Sequence, residues 1–182
     1  AADVAAASTD ALDAALFDGA VFCDVLARLR IEPGPLPADA LDAAERLLHD
    51  LAALEERRGD GDDGHASDPA LKRLEAKLDL TLQLLAQALP ALAPPPPKAV
   101  RLGPRGVRFA EPVAGPIDGV SPDAVLVWQP GVGLPLLLRL PVRAFDGPPA
   151  RGWQFQTLPA GLQDALERHV FRLHRRSLAA QR

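Results

Sequence analysis

Only one cysteine, Cys23, stands in the 182 residues, so the chain can close no disulfide of its own and offers no thiolate cluster for a metal. Cys23 reads as a small buried hydrophobe in a reducing compartment. Aromatic residues are also scarce: six phenylalanines, two tryptophans and no tyrosine leave few platforms on which single-stranded bases would stack. No run approaches the roughly 18 apolar residues of a membrane-spanning helix, and no basic stretch followed by an apolar one opens the chain. These features lead us to expect a cytoplasmic protein. His49, His65, His169 and His174 are scattered, and a spacing of five puts the last two on different helical faces, so no zinc set is expected. Ser121 and Ser177 lack evident His/Asp partners, Cys23 lacks a His-associated signature, and Gly131-Val-Gly133 lacks a phosphate-loop lysine. Asp60-Gly-Asp-Asp-Gly64 resembles a calcium loop only superficially, because its acids fall at positions 1, 3 and 4 and position 12 is Leu71 in place of Glu. We therefore expect no enzyme, no cofactor and no metal.

Apolar residues are plentiful at 48%, and the net charge of -4 is unevenly spread. Residues 1–97 hold 18 acids and 8 bases, a balance of -10, whereas 98–182 hold 6 acids and 12 bases, a balance of +6. An acidic half beside a basic half favours docking of one on the other, or leaves the basic half for an anionic partner.

The first eighteen residues are alanine-rich, with Thr9 and Asp10 as a candidate N-cap, and predict a short, poorly anchored helix with little function. From Cys23 the pattern alternates strictly. Cys23, Val25, Ala27, Leu29 and Ile31 share one face and Asp24, Arg28 and Arg30 the other, which predicts a half-buried strand ending at Glu32-Pro-Gly-Pro35. A helix follows over 37–58, with Leu41, Ala44, Leu47, Leu48, Leu51 and Leu54 as its apolar stripe. After a Gly/Asp loop, Asp68 and Pro69 start a second helix over 69–89. Leu71, Leu74, Leu78, Leu82, Leu85 and Leu89 line one side of it as a near-heptad seam, and Leu80 and Leu84 lie on the other side. A helix apolar on two sides must be covered on two sides. Homo-oligomerisation through these eight leucines, as a dimer to tetramer, is the preferred solution; coverage of Leu80 and Leu84 by the chain's own β domain is the alternative.

Pro94-Pro-Pro-Pro97 is a stiff spacer. Beyond it, strands are expected over 99–102, 107–111, 124–129, 136–145 and 153–158, giving six with the one at 23–31. Six short antiparallel strands hide their edges by closing into a barrel. A last helix from 160 to about 179 turns Leu162, Leu166, Val170 and Leu173 inward, leaving Arg168, Arg172, Arg175 and Arg176 solvated, paired with acids of the helical half, or facing an anion. The expected division is 1–36, an N-terminal segment with the first strand; 37–93, a helical hairpin for oligomerisation; and 94–182, the barrel and C-terminal helix.

Three stretches carry a family resemblance. Arg101-Leu-Gly-Pro-Arg-Gly106-Val-Arg-Phe109 resembles the ligand hairpin of a PilZ domain. Gly152-Trp-Gln-Phe-Gln-Thr-Leu-Pro159, followed by Ala165-Leu-Glu-Arg-His-Val-Phe-Arg-Leu-His-Arg-Arg176, is similar to the close of that domain. Lys77-Leu-Asp-Leu-Thr-Leu-Gln-Leu-Leu85 looks like the atypical, helix-extended branch found in Pseudomonadota. The resemblance implies an α+β fold: a six-stranded antiparallel PilZ-like β-barrel with an inserted α-helical hairpin and a C-terminal helix. It also implies bacterial cyclic di-GMP signalling, in motility, attachment or virulence.

The departures weigh on function. Where the family's hairpin carries Asp or Asn, then Ser, then Gly, this chain has Arg101, Gly103 and Gly106, so only the last glycine survives. The family's upstream Arg-x-x-x-Arg pair, which grips phosphate and guanine edges, is missing. Arg101 and Arg105 have its spacing but sit within the hairpin, and Arg28 and Arg30 are only two apart. We thus expect a self-associating adaptor for an unidentified signalling protein, without cyclic di-GMP binding by the usual motif. The alternative is a cyclic di-GMP receptor using non-standard arginines, with Arg101, Arg105, Arg108 and the tail arginines as the candidate contacts. A weaker alternative is a nucleic-acid-associated module.

Overall fold

The structure, a computed structural model, describes residues 2–60, 69–88, 94–113, 124–131, 136–145 and 150–180. In chain order these form α1 (Ala2–Phe17), β1 (Cys23–Pro33), α2 (Ala40–Asp60), α3 (Pro69–Ala88), β2 (Pro97–Leu102), β3 (Gly106–Val113), β4 (Ala124–Gln129), β5 (Leu138–Ala144), β6 (Ala150–Phe155) and α4 (Ala160–Ala180). The six strands close into an antiparallel barrel in the order β1-β2-β3-β6-β5-β4. Every strand expected from alternation and turn residues is present, with ends shifted by up to three residues. His65, Asp68, Leu89, Ser121 and most of the loops at 59–64 and 131–133 lie outside the described residues, as do the side chains of Leu71 and Leu82.

Closure falls to β1, the longest strand at 11 residues. Its first half, Cys23 to Arg28, pairs with β2, and its second half, Arg28 to Pro33, pairs with β4. A strand shared between two neighbours in this way joins the two sides of a curled sheet and leaves no free edge there. Its alternation survives in the fold: Cys23, Ala27 and Leu29 are buried, while Asp24, Leu26 and Arg28 are exposed.

Inside lie Leu29, Leu102, Phe109, Leu126, Trp128, Leu138, Leu140 and Trp153. On the outside, α2 packs on β5 and α4 on β1, and the two helices pack on each other. Leu162, Leu166 and Val170 of α4 are fully buried; each such side chain stabilises the fold by about 1.5–3 kcal/mol. Leu173 is half-buried, as its place at the end of that stripe predicts. On α2, Ala44, Leu48 and Leu51 join the core, but Leu54 is 47% exposed, so the stripe stops one turn short of its expected end.

Opposite charges bind the two halves of the chain. Glu55 of α2 takes Arg172 at 3.0 Å and Arg176 at 2.5 Å. The expected pairing of tail arginines with acids of the helical half is thus realised for these two residues.

The N-terminal helix is where the structure corrects the sequence reading most. In place of a short, poorly anchored helix, α1 runs for 16 residues and buries Leu12, Leu16 and Phe17 at 2%, 0% and 4% exposure. It lies against β3 and β6.

Candidate functional site

The β2–β3 hairpin carries the site that the sequence singles out. Its turn is held by Gly103 N–H donating to the Gly106 carbonyl at 3.0 Å, and Arg101 stands directly across the ladder from Arg108. Two guanidinium groups on neighbouring strands repel unless an anion lies between them.

The anion comes from α1. Asp13 accepts from Arg101 Nη1 at 2.8 Å through one oxygen and lies 2.7 Å from Arg108 Nε through the other. Arg101 also grips Asp24 of β1 in a two-pronged fork, Nε and Nη2 each at 2.9 Å, and stacks its guanidinium 4.5 Å from the Phe22 ring. The hydrogen bond from Arg101 is the main cause holding the Asp24 carboxyl below the usual carboxylate range. Arg105, at the turn, donates to the Asp18 carbonyl at the C-terminal end of α1. The hairpin brings Arg101, Arg105 and Arg108 together, and the N-terminal segment engages all three.

Apolar packing completes the cover. A Cβ placed on Gly103 would stand 2.7 Å from the Phe17 ring, one on Gly106 2.9 Å from a Leu16 methyl, and one on Gly152 2.1 Å from a Leu12 methyl. The glycines of the hairpin and of β6 therefore form a trough that admits α1. Sequence reasoning weighed Gly103 and Gly106 as ligand positions and missed this use. Leu12, Leu16 and Phe17, at i, i+4 and i+5 with Asp13 beside them, were the available signal.

Cys23 is buried, and burial, assisted by Asp24, pushes its thiol up to about 11, so it stays protonated and unreactive near neutrality. Arg28 donates to the Pro95 carbonyl at 3.4 Å and Arg30 pairs with Glu32 at 2.6 Å, so both serve the barrel's own structure. A groove of about 690 Å³ beside the hairpin turn is lined by Arg105, Arg168 and Arg172 but also by Glu56 and Glu167, and Arg172 is already paired with Glu55. Its walls carry both signs, which weakens its pull on a phosphate. Among the described residues, no group of three potential metal ligands lies together, and no helix is long and apolar enough to cross a membrane.

On α3, Leu74, Leu78, Leu80, Leu84 and Leu85 are 46–57% exposed. Among the described residues, α3 makes no extended contact with α2 or with the barrel. The chain's own barrel therefore leaves Leu80 and Leu84 uncovered.

A closed six-stranded barrel, two helices inserted after its first strand and a C-terminal helix define a PilZ-like barrel protein. The profile of the family described as atypical PilZ domain, cyclic di-GMP receptor, matches residues 48–182, and the chain belongs to that family. A PilZ-domain protein from Xanthomonas campestris, a pathogenic protein that is tetrameric and self-assembled via an unusual helical bundle, shares 32% identity with it. The two structures match with a TM-score of 0.66 over 93% of this chain and 97% of that one. No curated protein matches the chain.

Proposed function

We propose that the protein is a non-catalytic PilZ adaptor in cyclic di-GMP-related bacterial signalling, acting in the cytoplasm in motility, attachment or virulence. It self-associates through α3 and does not take up cyclic di-GMP at its hairpin. The observation that carries this reading is the row of half-exposed leucines on α3. Burying what remains exposed of each is worth about 1 kcal/mol, so five together contribute about 5 kcal/mol per chain toward association. That the Xanthomonas protein is a tetramer self-assembled via a helical bundle supports association through a helix here.

Nucleotide uptake at the hairpin is disfavoured because Asp13 and Asp24 together already neutralise Arg101 and Arg108. Nucleic-acid binding is weakened likewise, since Arg101, Arg108, Arg172 and Arg176 of the basic half all pair with acids from residues 1–97.

Light scattering with and without cyclic di-GMP tests both parts. The expected result is an oligomer whose mass the nucleotide leaves unchanged, with no heat of binding at micromolar nucleotide. Leu78→Asp combined with Leu85→Asp is expected to yield monomers with an intact barrel, because both side chains already face solvent in one chain. A wild-type monomer would end the association reading. Micromolar nucleotide binding lost on Arg101→Ala would promote the receptor reading instead.

A further inference from the structure

Helix α1 sits on the barrel in the way a ligand sits in a site. Its anchors Leu12, Leu16 and Phe17 cluster with Phe22, separately from the barrel core. Among the described residues, no backbone hydrogen bond joins α1 to a strand. Its contacts among the described residues include three apolar side chains in a glycine trough, one carboxylate between Arg101 and Arg108, and the Arg105 bond to the Asp18 carbonyl. A helix that rests on the outside of a barrel through side-chain contacts opens more readily than the hydrogen-bonded strands beneath it. Gly19, with φ at 67°, begins the short link to β1 and gives a hinge conformation that other residues adopt at a cost.

We propose that this trough is a docking site for an acidic amphipathic helix of a partner protein, with the pattern Leu-Asp-x-x-Leu-Phe, and that α1 occupies it in cis until such a helix displaces it. The glycines select for depth, since Leu or Phe reaches where any Cβ on the barrel would collide. The paired guanidiniums select for a carboxylate one residue after the first anchor. This is helix-in-groove recognition, with the tether keeping the resident helix at high effective concentration. The inference deepens the adaptor reading by naming the kind of partner, and it stands independently of association through α3.

The test uses the full chain carrying Asp13→Arg and Leu16→Asp, which expel α1 from its trough. The probe is a fluorescein-labelled peptide of residues 8–20, followed by anisotropy. The peptide is expected to bind this variant with a Kd on the order of 100 µM, since it must order on binding, and more weakly as salt rises. Binding to the wild type is expected to be undetectable, and an Asp13→Asn peptide is expected to bind about tenfold more weakly. Absence of binding to a variant with wild-type circular dichroism, or equal binding by a scrambled peptide, overturns the proposal. If the variant fails to fold, hydrogen exchange on the wild type decides. Amides of α1 exchanging well ahead of β3 and β6 support a detachable helix, and exchange in step with those strands overturns it. Light scattering on the same samples reports the α3 assembly separately.

Discussion

Gly106→Ala is expected to lower the unfolding free energy by about 2 to 3 kcal/mol, read as a lower midpoint in urea with an unchanged slope. The added Cβ would stand 2.4 Å from the Trp153 carbonyl oxygen and 3.2 Å from the Gln154 Cα, both backbone atoms of β6. Gly106 pairs with Gln154 across the ladder, so relief requires parting two barrel strands. Gly152→Ala makes an informative contrast. There the atoms met all belong to the Leu12 side chain, which can swing aside, so the loss is expected to be smaller and confined to the seating of α1. Equal losses from the two substitutions would contradict the distinction between a strand-locking and a helix-seating glycine.

Acid is expected to destabilise the fold through His169, by roughly 3 kcal/mol between pH 6.5 and pH 4. The imidazole is fully buried on α4, edge-on to Trp128 at 5.3 Å between ring centroids, and among the described residues neither ring nitrogen has a hydrogen-bond partner. Burial foremost, then the neighbouring Arg172, pushes its pKa from 6.5 down to about 4; Arg176 adds to the effect and Glu55 opposes it. The unfolded chain therefore binds a proton that the folded chain refuses. The histidine's contribution to stability is complete above pH 6.5 and is lost as the pH falls toward 4. Urea unfolding at stepwise pH, compared with His169→Leu, isolates this effect from the carboxylates. The leucine variant gives up no hydrogen bond at pH 7 and should show a flatter profile through the acid range. Parallel profiles would mean that His169 takes up its proton in the folded state.

Much of the scaffold was legible in the sequence, because barrel strands and amphipathic helices carry local signals. The alternation from Cys23 to Ile31 predicted which residues of β1 face inward, and the stripe on α4 named Leu162, Leu166 and Val170. The site was less legible. Asp13 and Arg101 are 88 residues apart and Asp24 and Arg101 are 77 apart, so no spacing along the chain indicates that they meet. His169 was noticed as one of four scattered histidines, yet its burial depends on Trp128 from a different element. The alanine content of α1 drew attention away from its three anchors, since composition averages over a segment whereas packing uses individual side chains.

By itself the sequence determined the strand and helix inventory, the surviving turn at Gly106 and a helix with leucines on two sides, because backbone geometry turns residue period directly into faces. Only the tertiary structure decided the state of the hairpin arginines. Whether a guanidinium is available depends on which carboxylates lie within a few ångströms in space, and closure of the barrel with α1 across it brings Asp13 and Asp24 there.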